Sequence, residues 1–134
     1  MKICSICKQN KDRVNFCKDI ARKDKLCHVC KKCRSVWGKT YRKKLKIEIF
    51  NAYGGPVCKC CNEKEICFLS LDHVNNDGAK ERKELFKNNH GGSYHLYEKL
   101  KQKCFPDKNR YQVLCMNCQW GKKNNFGICP HQQK

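Results

Sequence analysis

Two stretches far apart in the chain carry the residues best suited to chemistry. In the first, residues 69–73, apolar and polar residues alternate, which predicts a strand that ends in Asp72 and His73. In the second, residues 111–119, a short apolar run leads into a Cys-x-x-Cys motif and a basic segment. Because a carboxylate is a hard metal ligand and an imidazole accepts a proton, the Asp-His pair suits metal-assisted hydrolysis of a phosphodiester.

Cysteine pairs are the second chemical signal, because the chain has 14 cysteines and several have Cys-x-x-Cys spacing. Each pair can wrap a turn around one side of a tetrahedral zinc ion, and two pairs complete the ligand set; disulfides are the other common use of cysteine. The spacing predicts two structural zinc sites, one formed by Cys4, Cys7, Cys30 and Cys33 and the other by Cys58, Cys61, Cys115 and Cys118.

The first zinc site has two alternative registers. Cys27 and Cys30 also have Cys-x-x-Cys spacing, but Cys30 and Cys33 directly precede a helix-forming stretch and are preferred. Cys17 and Cys27 are then expected to be small buried hydrophobic residues. No role is assigned to the remaining cysteines, which are Cys60, Cys67, Cys104 and Cys129. Cys129 belongs to a Cys-x-His motif, which is interpreted as part of a surface tail.

The chain is strongly basic, with 30 Lys and Arg against 12 Asp and Glu and a net charge of +18. Residues 1–53 alone carry 16 basic and 4 acidic side chains. Neutralising phosphates releases condensed counterions, so this excess favours a polyanionic partner. We therefore expect a nucleic-acid partner, above all double-stranded DNA, although a solvated Lys-rich surface would give the same composition.

The chain has no membrane signal. No apolar run approaches the roughly 20 residues that a membrane span needs, and the first residues do not resemble a signal peptide. The mean hydropathy of −0.85 argues against one large hydrophobic core. We expect no membrane partner and an intracellular location, in the cytoplasm of a host cell for a viral protein, with the nucleus as the alternative. The sequence specifies no oligomeric state.

A basic helix is expected over residues 34–53, followed by a helix stop at Gly54-Gly55-Pro56. Apolar residues recur at steps of three and four and predict one buried stripe, made of Val36, Trp37, Tyr41, Leu45, Ile49 and Phe50. Basic residues of the same helix are expected to contact a phosphate backbone, unless they only solvate a connector; they include Arg42, Lys43 and Lys44.

Residues 74–110 are interpreted as a helical insertion between the two strands. A charged helix is expected over residues 79–89, and a second helix is expected to run from an N-cap at Ser93 to about residue 103. The insertion would cover the site and grip DNA, with Arg82 as the best candidate for a phosphate contact.

A strand ending in Asp-His, a second strand and a helix that starts with Cys-x-x-Cys resemble the HNH endonuclease (ββα-metal, His-Me finger) superfamily, and most of all small phage-type HNH proteins. The resemblance covers residues 53–131, and residues 1–33 resemble the zinc ribbon that such proteins carry in front. It implies a small α+β, zinc-stabilised protein: a zinc-ribbon-like module (1–34), a basic connecting helix (35–55) and an HNH ββα-metal domain (56–134) with a helical insertion.

The resemblance also implies a function, that of a metal-dependent DNA endonuclease or nickase. His73 would be the general base, while Asp72 and Gln119 would hold a catalytic divalent cation, Mg²⁺ or else Mn²⁺. Lys122 would be a further DNA contact. Gln119 stands where the family usually has Asn or His, and Glu81 stands where it has a His. The alternative is a catalytically weak or inactive zinc-bearing regulator that binds DNA or RNA on the same scaffold.

Overall fold

The computed structural model describes residues 1–87 and 91–133, which contain four α-helices and six short strands. In chain order they are β1 (Lys2–Ile3), β2 (Asn10–Lys11), β3 (Phe16–Lys18), β4 (Leu26–Cys30), α1 (Lys31–Ala52), β5 (Leu69–His73), α2 (Gly78–Leu85), α3 (Ser93–Gln102), β6 (Tyr111–Cys115) and α4 (Met116–Asn124). The expected small α+β class is confirmed. The chain forms two compact units, Met1–Lys43 and Lys44–Lys134.

The first unit contains two antiparallel strand pairs, β1 with β2 and β3 with β4. Its hydrophobic core is small: three residues are buried, and four partly buried residues pack against them. Four of these seven residues are cysteines, so little hydrocarbon is removed from water. The core residues are Cys4, Phe16 and Cys30, with Cys7, Leu26, Val29 and Cys33 around them. A unit with this core depends on something other than apolar burial for its stability.

The second unit is organised around the antiparallel pair β5 and β6, whose register runs from Leu69 opposite Cys115 to His73 opposite Tyr111. Burial alternates along β5, as the sequence predicted, because successive side chains point to opposite faces. α4 follows β6 directly and lies against β5, since the Gln119 side chain reaches the Ser70 carbonyl. The two strands therefore deliver Asp72 and His73 to the same end of the pair as Tyr111.

Helix α1 begins three residues before the predicted start and ends at Ala52, one residue before the predicted end. Gly54 and Gly55 then take φ values of +112° and +93°, which favour glycine. The prediction of one continuous buried stripe was wrong in its first half, because Val36 and Trp37 are 59% and 62% exposed. The second half is buried, at Leu45, Ile49 and Phe50.

The insertion between β5 and β6 contains α2 and α3, as predicted. Of the predicted helix 79–89, residues 88 and 89 lie outside the described residues, as does residue 90, and α2 ends at Leu85. Ser93 is not the N-cap of α3: Gly92 is, and Ser93 is the first helical residue. The apolar side of α3 packs inward, where the Tyr97 hydroxyl accepts a hydrogen bond from the Leu71 backbone N–H at 3.2 Å. Among the described residues, no helix has both the length and the apolar character required to cross a membrane.

Candidate catalytic site and metal centres

The first predicted set of cysteines comes together in the first unit. The sulfur atoms of Cys4, Cys7, Cys30 and Cys33 all lie within 4.8 Å of one another. The backbone N–H of Cys30 donates to Cys4 Sγ at 3.3 Å, and this hydrogen bond is the main reason that the pKa of Cys4 falls to about 6. A thiol that ionises readily is a good metal ligand. The preferred register is therefore the one observed, and this group could hold zinc.

Cys27, the alternative ligand, lies outside this group. It is half-buried, and its sulfur atom accepts a hydrogen bond from Arg34 Nη1 at 3.6 Å. Cys17 is also half-buried. Both side chains are therefore less buried than expected.

The second predicted set also converges and joins the chain before β5 to the junction of β6 and α4. The sulfur atoms of Cys58, Cys61, Cys115 and Cys118 lie within 4.8 Å of one another. The Cys61 and Cys115 sulfur atoms are 3.6 Å apart, close to the distance of about 3.8 Å between two thiolates on a tetrahedral zinc ion. Burial raises the pKa of Cys58, but hydrogen bonds from the backbone at Cys115 and neighbouring residues bring it down to about 7. This group could hold a second zinc ion.

His73 is buried at the end of β5 and is paired with a carboxylate from the insertion. Its Nε2 lies 2.5 Å from Oε2 of Glu81, which is in the first turn of α2 and is itself only 6% exposed. An ionised carboxylate can only accept hydrogen bonds, so the neutral imidazole carries its proton on Nε2 and its lone pair on Nδ1. A Cβ atom at Gly78 would lie 2.7 Å from that Nδ1.

Glu81 has partners for its other oxygen as well. The Tyr111 hydroxyl donates to Oε1, and Arg110 Nη1 lies 3.4 Å from the same atom. Burial, together with the hydrogen bond to Glu81, raises the pKa of Tyr111, so the hydroxyl stays protonated and remains a donor. Arg110 in turn donates to Asp77 Oδ2 at 2.8 Å. A buried carboxylate needs such partners, and here they fix the orientation of Glu81 against His73.

The Asp72 carboxylate is bound by other residues than those that contact Glu81. Its Oδ2 accepts hydrogen bonds from Gln112 Nε2 at 2.9 Å and from Lys122 Nζ at 2.7 Å. Lys122 is only 6% exposed and also donates to the His73 carbonyl at 2.7 Å and to the Val74 carbonyl at 3.2 Å. An ammonium group has three N–H donors, so these three acceptors use all of them. Lys122, expected at a DNA-binding surface, instead ties α4 to the end of β5.

Gln119 is held by its amide nitrogen, which donates to the carbonyl oxygens of Ser70 at 3.3 Å and Leu114 at 3.4 Å. Its amide oxygen is the end of the side chain that a cation would use. Gln119, Asp72, His73 and Arg82 all line one open cavity of about 900 Å³. The structure therefore brings the three predicted catalytic residues and the predicted phosphate contact to one place.

The other predicted DNA contacts, Arg42, Lys43 and Lys44, are exposed on α1. Two residues that matter for the site were not assigned a role from the sequence: Glu81 as the partner of His73, and Arg110 as the partner of Glu81. The sequence signals for Glu81 were its place in the first turn of the helix that follows His73 and its position where the resemblance to the HNH family implies a histidine.

No family model, no curated protein and no solved structure matches this chain at a significant level.

Proposed function

We propose that this protein is a metal-dependent DNA endonuclease or nickase of the HNH type. The observation that carries the proposal is the His73–Glu81 pair, because its histidine lines the same cavity as Asp72 and Gln119. A buried histidine with one nitrogen fixed by a carboxylate is the usual arrangement of a general base, because the carboxylate sets the tautomer and stabilises the imidazolium that forms.

His73 acts in this proposal through Nδ1, which removes a proton from the attacking water. Residue 78 is the neighbour of that atom, and any side chain there would approach to within 2.7 Å of it. Glycine at position 78 therefore avoids a close contact with Nδ1 that any other residue would make. Proton transfer to a positioned base of this kind typically contributes about 10²–10⁴-fold to the rate.

The donors for a divalent cation are oxygen atoms, which is the chemistry that Mg²⁺ prefers. Both hydrogen bonds to Asp72 use Oδ2, so Oδ1 is the atom assigned to the ion, together with the amide oxygen of Gln119. When bound, such an ion neutralises charge on the phosphate and on the leaving oxygen. Lys122 supports this arrangement by holding the Asp72 carboxylate and the end of β5 in place.

DNA is the proposed substrate because of the charge and its distribution. Arg82 is exposed and lines the cavity beside His73. Arg42, Lys43 and Lys44 add exposed positive charge on α1, and the chain as a whole carries +18. Contacts of this kind bind the phosphate backbone and give salt-dependent affinity.

The second candidate function is that of a zinc-bearing regulator that binds DNA or RNA without cutting it. One observation favours it: the Lys122 ammonium lies 2.7 Å from the carboxylate that would hold the catalytic ion. A cation already paired with Asp72 weakens the attraction for a second one.

Nicking of a supercoiled plasmid with MgCl₂ or MnCl₂ separates the two functions. We expect the wild type to convert plasmid to the nicked or linear form, and His73→Ala to lose at least about 100-fold in rate. His95→Ala, which changes an exposed histidine of the same unit, is the matched control and should keep wild-type activity. Zinc-loaded wild type that binds DNA in a salt-dependent manner but never cleaves it would establish the regulator instead.

A further inference from the structure

A third group of metal-ligating side chains lies next to the second cysteine group. The ligand atoms of Cys60, Cys118, Cys129 and His131 all lie within 4.8 Å of one another. Three of these residues are otherwise without a role: Cys60 lies between the two cysteines of a knuckle, and Cys129 and His131 belong to the segment after α4. Cys118 is common to this group and to the group formed with Cys58, Cys61 and Cys115.

The distances within the group match those around tetrahedral zinc. Cys118 Sγ lies 3.5 Å from His131 Nδ1. A sulfur and a nitrogen bound to one zinc ion, at about 2.3 Å and 2.0–2.1 Å from it, are about 3.5 Å apart in tetrahedral geometry. The thiols of Cys60 and Cys129 are also hydrogen-bonding neighbours of Cys118, as are those of Cys61 and Cys115. Thiols of both groups therefore surround the sulfur atom of Cys118.

Hydrophobic burial does not explain why the chain folds back here. After α4, Phe126 is fully exposed and Ile128 is 47% exposed. Cys129, the next residue, is nevertheless only 3% exposed. The chain also approaches α4 closely: a Cβ atom at Gly121 would lie 3.0 Å from Pro130 Cδ and 3.7 Å from Cys129 Sγ. A segment that exposes its large apolar side chains while burying a cysteine against other thiols is typical of one held by a metal ion.

We propose that Cys118 is a bridging thiolate between two structural zinc ions. The first ion is held by Cys58, Cys61, Cys115 and Cys118, and the second by Cys60, Cys118, Cys129 and His131. Each ion has four ligands, as closed structural sites require. Binding the second ion releases one proton each from the thiols of Cys60 and Cys129, whereas His131 binds as the neutral imidazole. Because the two new thiolates balance the charge of the second ion, the cluster keeps the net charge of −2 that a single four-cysteine zinc site carries.

The second ion ties the segment after α4 to the helix that carries Gln119 and Lys122. It stabilises the cavity wall without being part of it, and it makes a total of three zinc ions per chain with the group formed by Cys4, Cys7, Cys30 and Cys33. This inference does not depend on nuclease activity.

The zinc content of the full chain, purified with ZnSO₄ and measured by native mass spectrometry, tests the proposal. We expect three zinc ions per wild-type chain and two in Cys129→Ser and in His131→Ala. Cys67→Ser and Cys104→Ser, at exposed cysteines outside all three groups, are the matched controls and should keep three. Two zinc ions in the wild type would overturn the proposal, as would a Cys60–Cys129 disulfide in the zinc-loaded protein.

The bridge itself has a separate readout that needs no variant. In protein loaded with ¹¹³Cd²⁺, the two ions that share Cys118 should give two resonances split by scalar coupling through the common sulfur atom, and the third ion should give an unsplit resonance. Three unsplit resonances would overturn the bridge.

Discussion

The Lys122 ammonium group on α4 lies 2.7 Å from the Asp72 carboxylate at the end of β5, and both side chains are largely shielded from water. The pair joins α4, which contains Cys118, to the strand that carries His73. Because Lys122 also donates to the carbonyl oxygens of His73 and Val74, it fixes the backbone at which β5 ends.

Replacing Lys122 with methionine should therefore destabilise the second unit. The substitution keeps much of the side-chain volume but leaves Asp72 and two carbonyl oxygens without their donor. Breaking a buried ion pair from one side costs about 3–5 kcal/mol, which should be visible in urea unfolding of the zinc-loaded protein. Lys123→Met is the matched control, because Lys123 is exposed. Equal unfolding free energies for the two variants would contradict the role assigned to Lys122.

Glu81→Gln tests the partner of His73. The amide keeps the shape of the side chain but removes the charge that stabilises the imidazolium, so we expect the single-turnover nicking rate to fall at least about tenfold. DNA affinity should not change, since Glu81 is buried and acts through His73. Glu84→Gln on the same helix is exposed and should behave as wild type. A weakened affinity with an unchanged rate would rule out the positioning role.

Alkaline pH should destabilise the second unit through its buried tyrosines. Burial and the negative charges of Asp107 and Glu81 raise the pKa of Tyr53 to about 12, and its hydroxyl donates to the Pro106 carbonyl at 2.7 Å. A raised folded-state pKa means that the folded protein keeps a proton that the unfolded chain loses above about pH 10, so the unfolding free energy falls as pH rises from about 10 to 12.

Urea unfolding at a series of pH values from 8 upward measures this loss. Tyr53→Phe should flatten the fall in unfolding free energy, whereas Tyr94→Phe on α3 should leave it unchanged. A fall of the same steepness in wild type and Tyr53→Phe would contradict the assignment.

The two four-cysteine groups and the two strands of the second unit could be predicted from the sequence because their signals are local. Cys-x-x-Cys spacing and the alternation over Leu69–His73 each depend on a few neighbouring residues. Glu81 and Lys122 could not, because their roles depend on which helix packs at the end of β5. A buried lysine and an exposed one look the same in a basic sequence.

The C-terminal Cys-x-His motif shows the same limit. Cys129 and His131 are a weak signal by themselves, and the residues that complete their group lie at positions 60 and 118. Only the fold brings these three segments together. Val36 and Trp37 are exposed although the sequence predicted that they would be buried. Helical periodicity predicts which residues share one face of a helix, but it does not show whether the unit has a hydrophobic core for that face to pack against.

Removal of zinc should unfold the first unit. Four of the seven residues in its core are cysteines, so without metal the chain cannot offset its conformational entropy. We expect EDTA to abolish the protection of amides in β1 to β4 against hydrogen exchange, measured by mass spectrometry on the full chain. Added ZnSO₄ should restore protection, and MgCl₂, the matched control, should not. Protection that survives complete loss of zinc would show that the apolar core suffices.

Arg82→Ala tests the proposed contact with DNA, and Lys83→Ala provides a close control. Both side chains are exposed on α2, but only Arg82 lines the cavity beside His73. If Arg82 binds a phosphate next to the scissile bond, its loss should weaken the affinity for DNA. The slope of the logarithm of the association constant against the logarithm of the salt concentration should also become less negative, by about 0.9. Lys83→Ala should leave both quantities close to wild type. Fluorescence anisotropy with a labelled duplex over a range of salt concentrations gives the affinity and the slope together. Equal effects of the two substitutions would mean that α2 contributes only diffuse positive charge, and the phosphate would have to be held from another wall of the cavity.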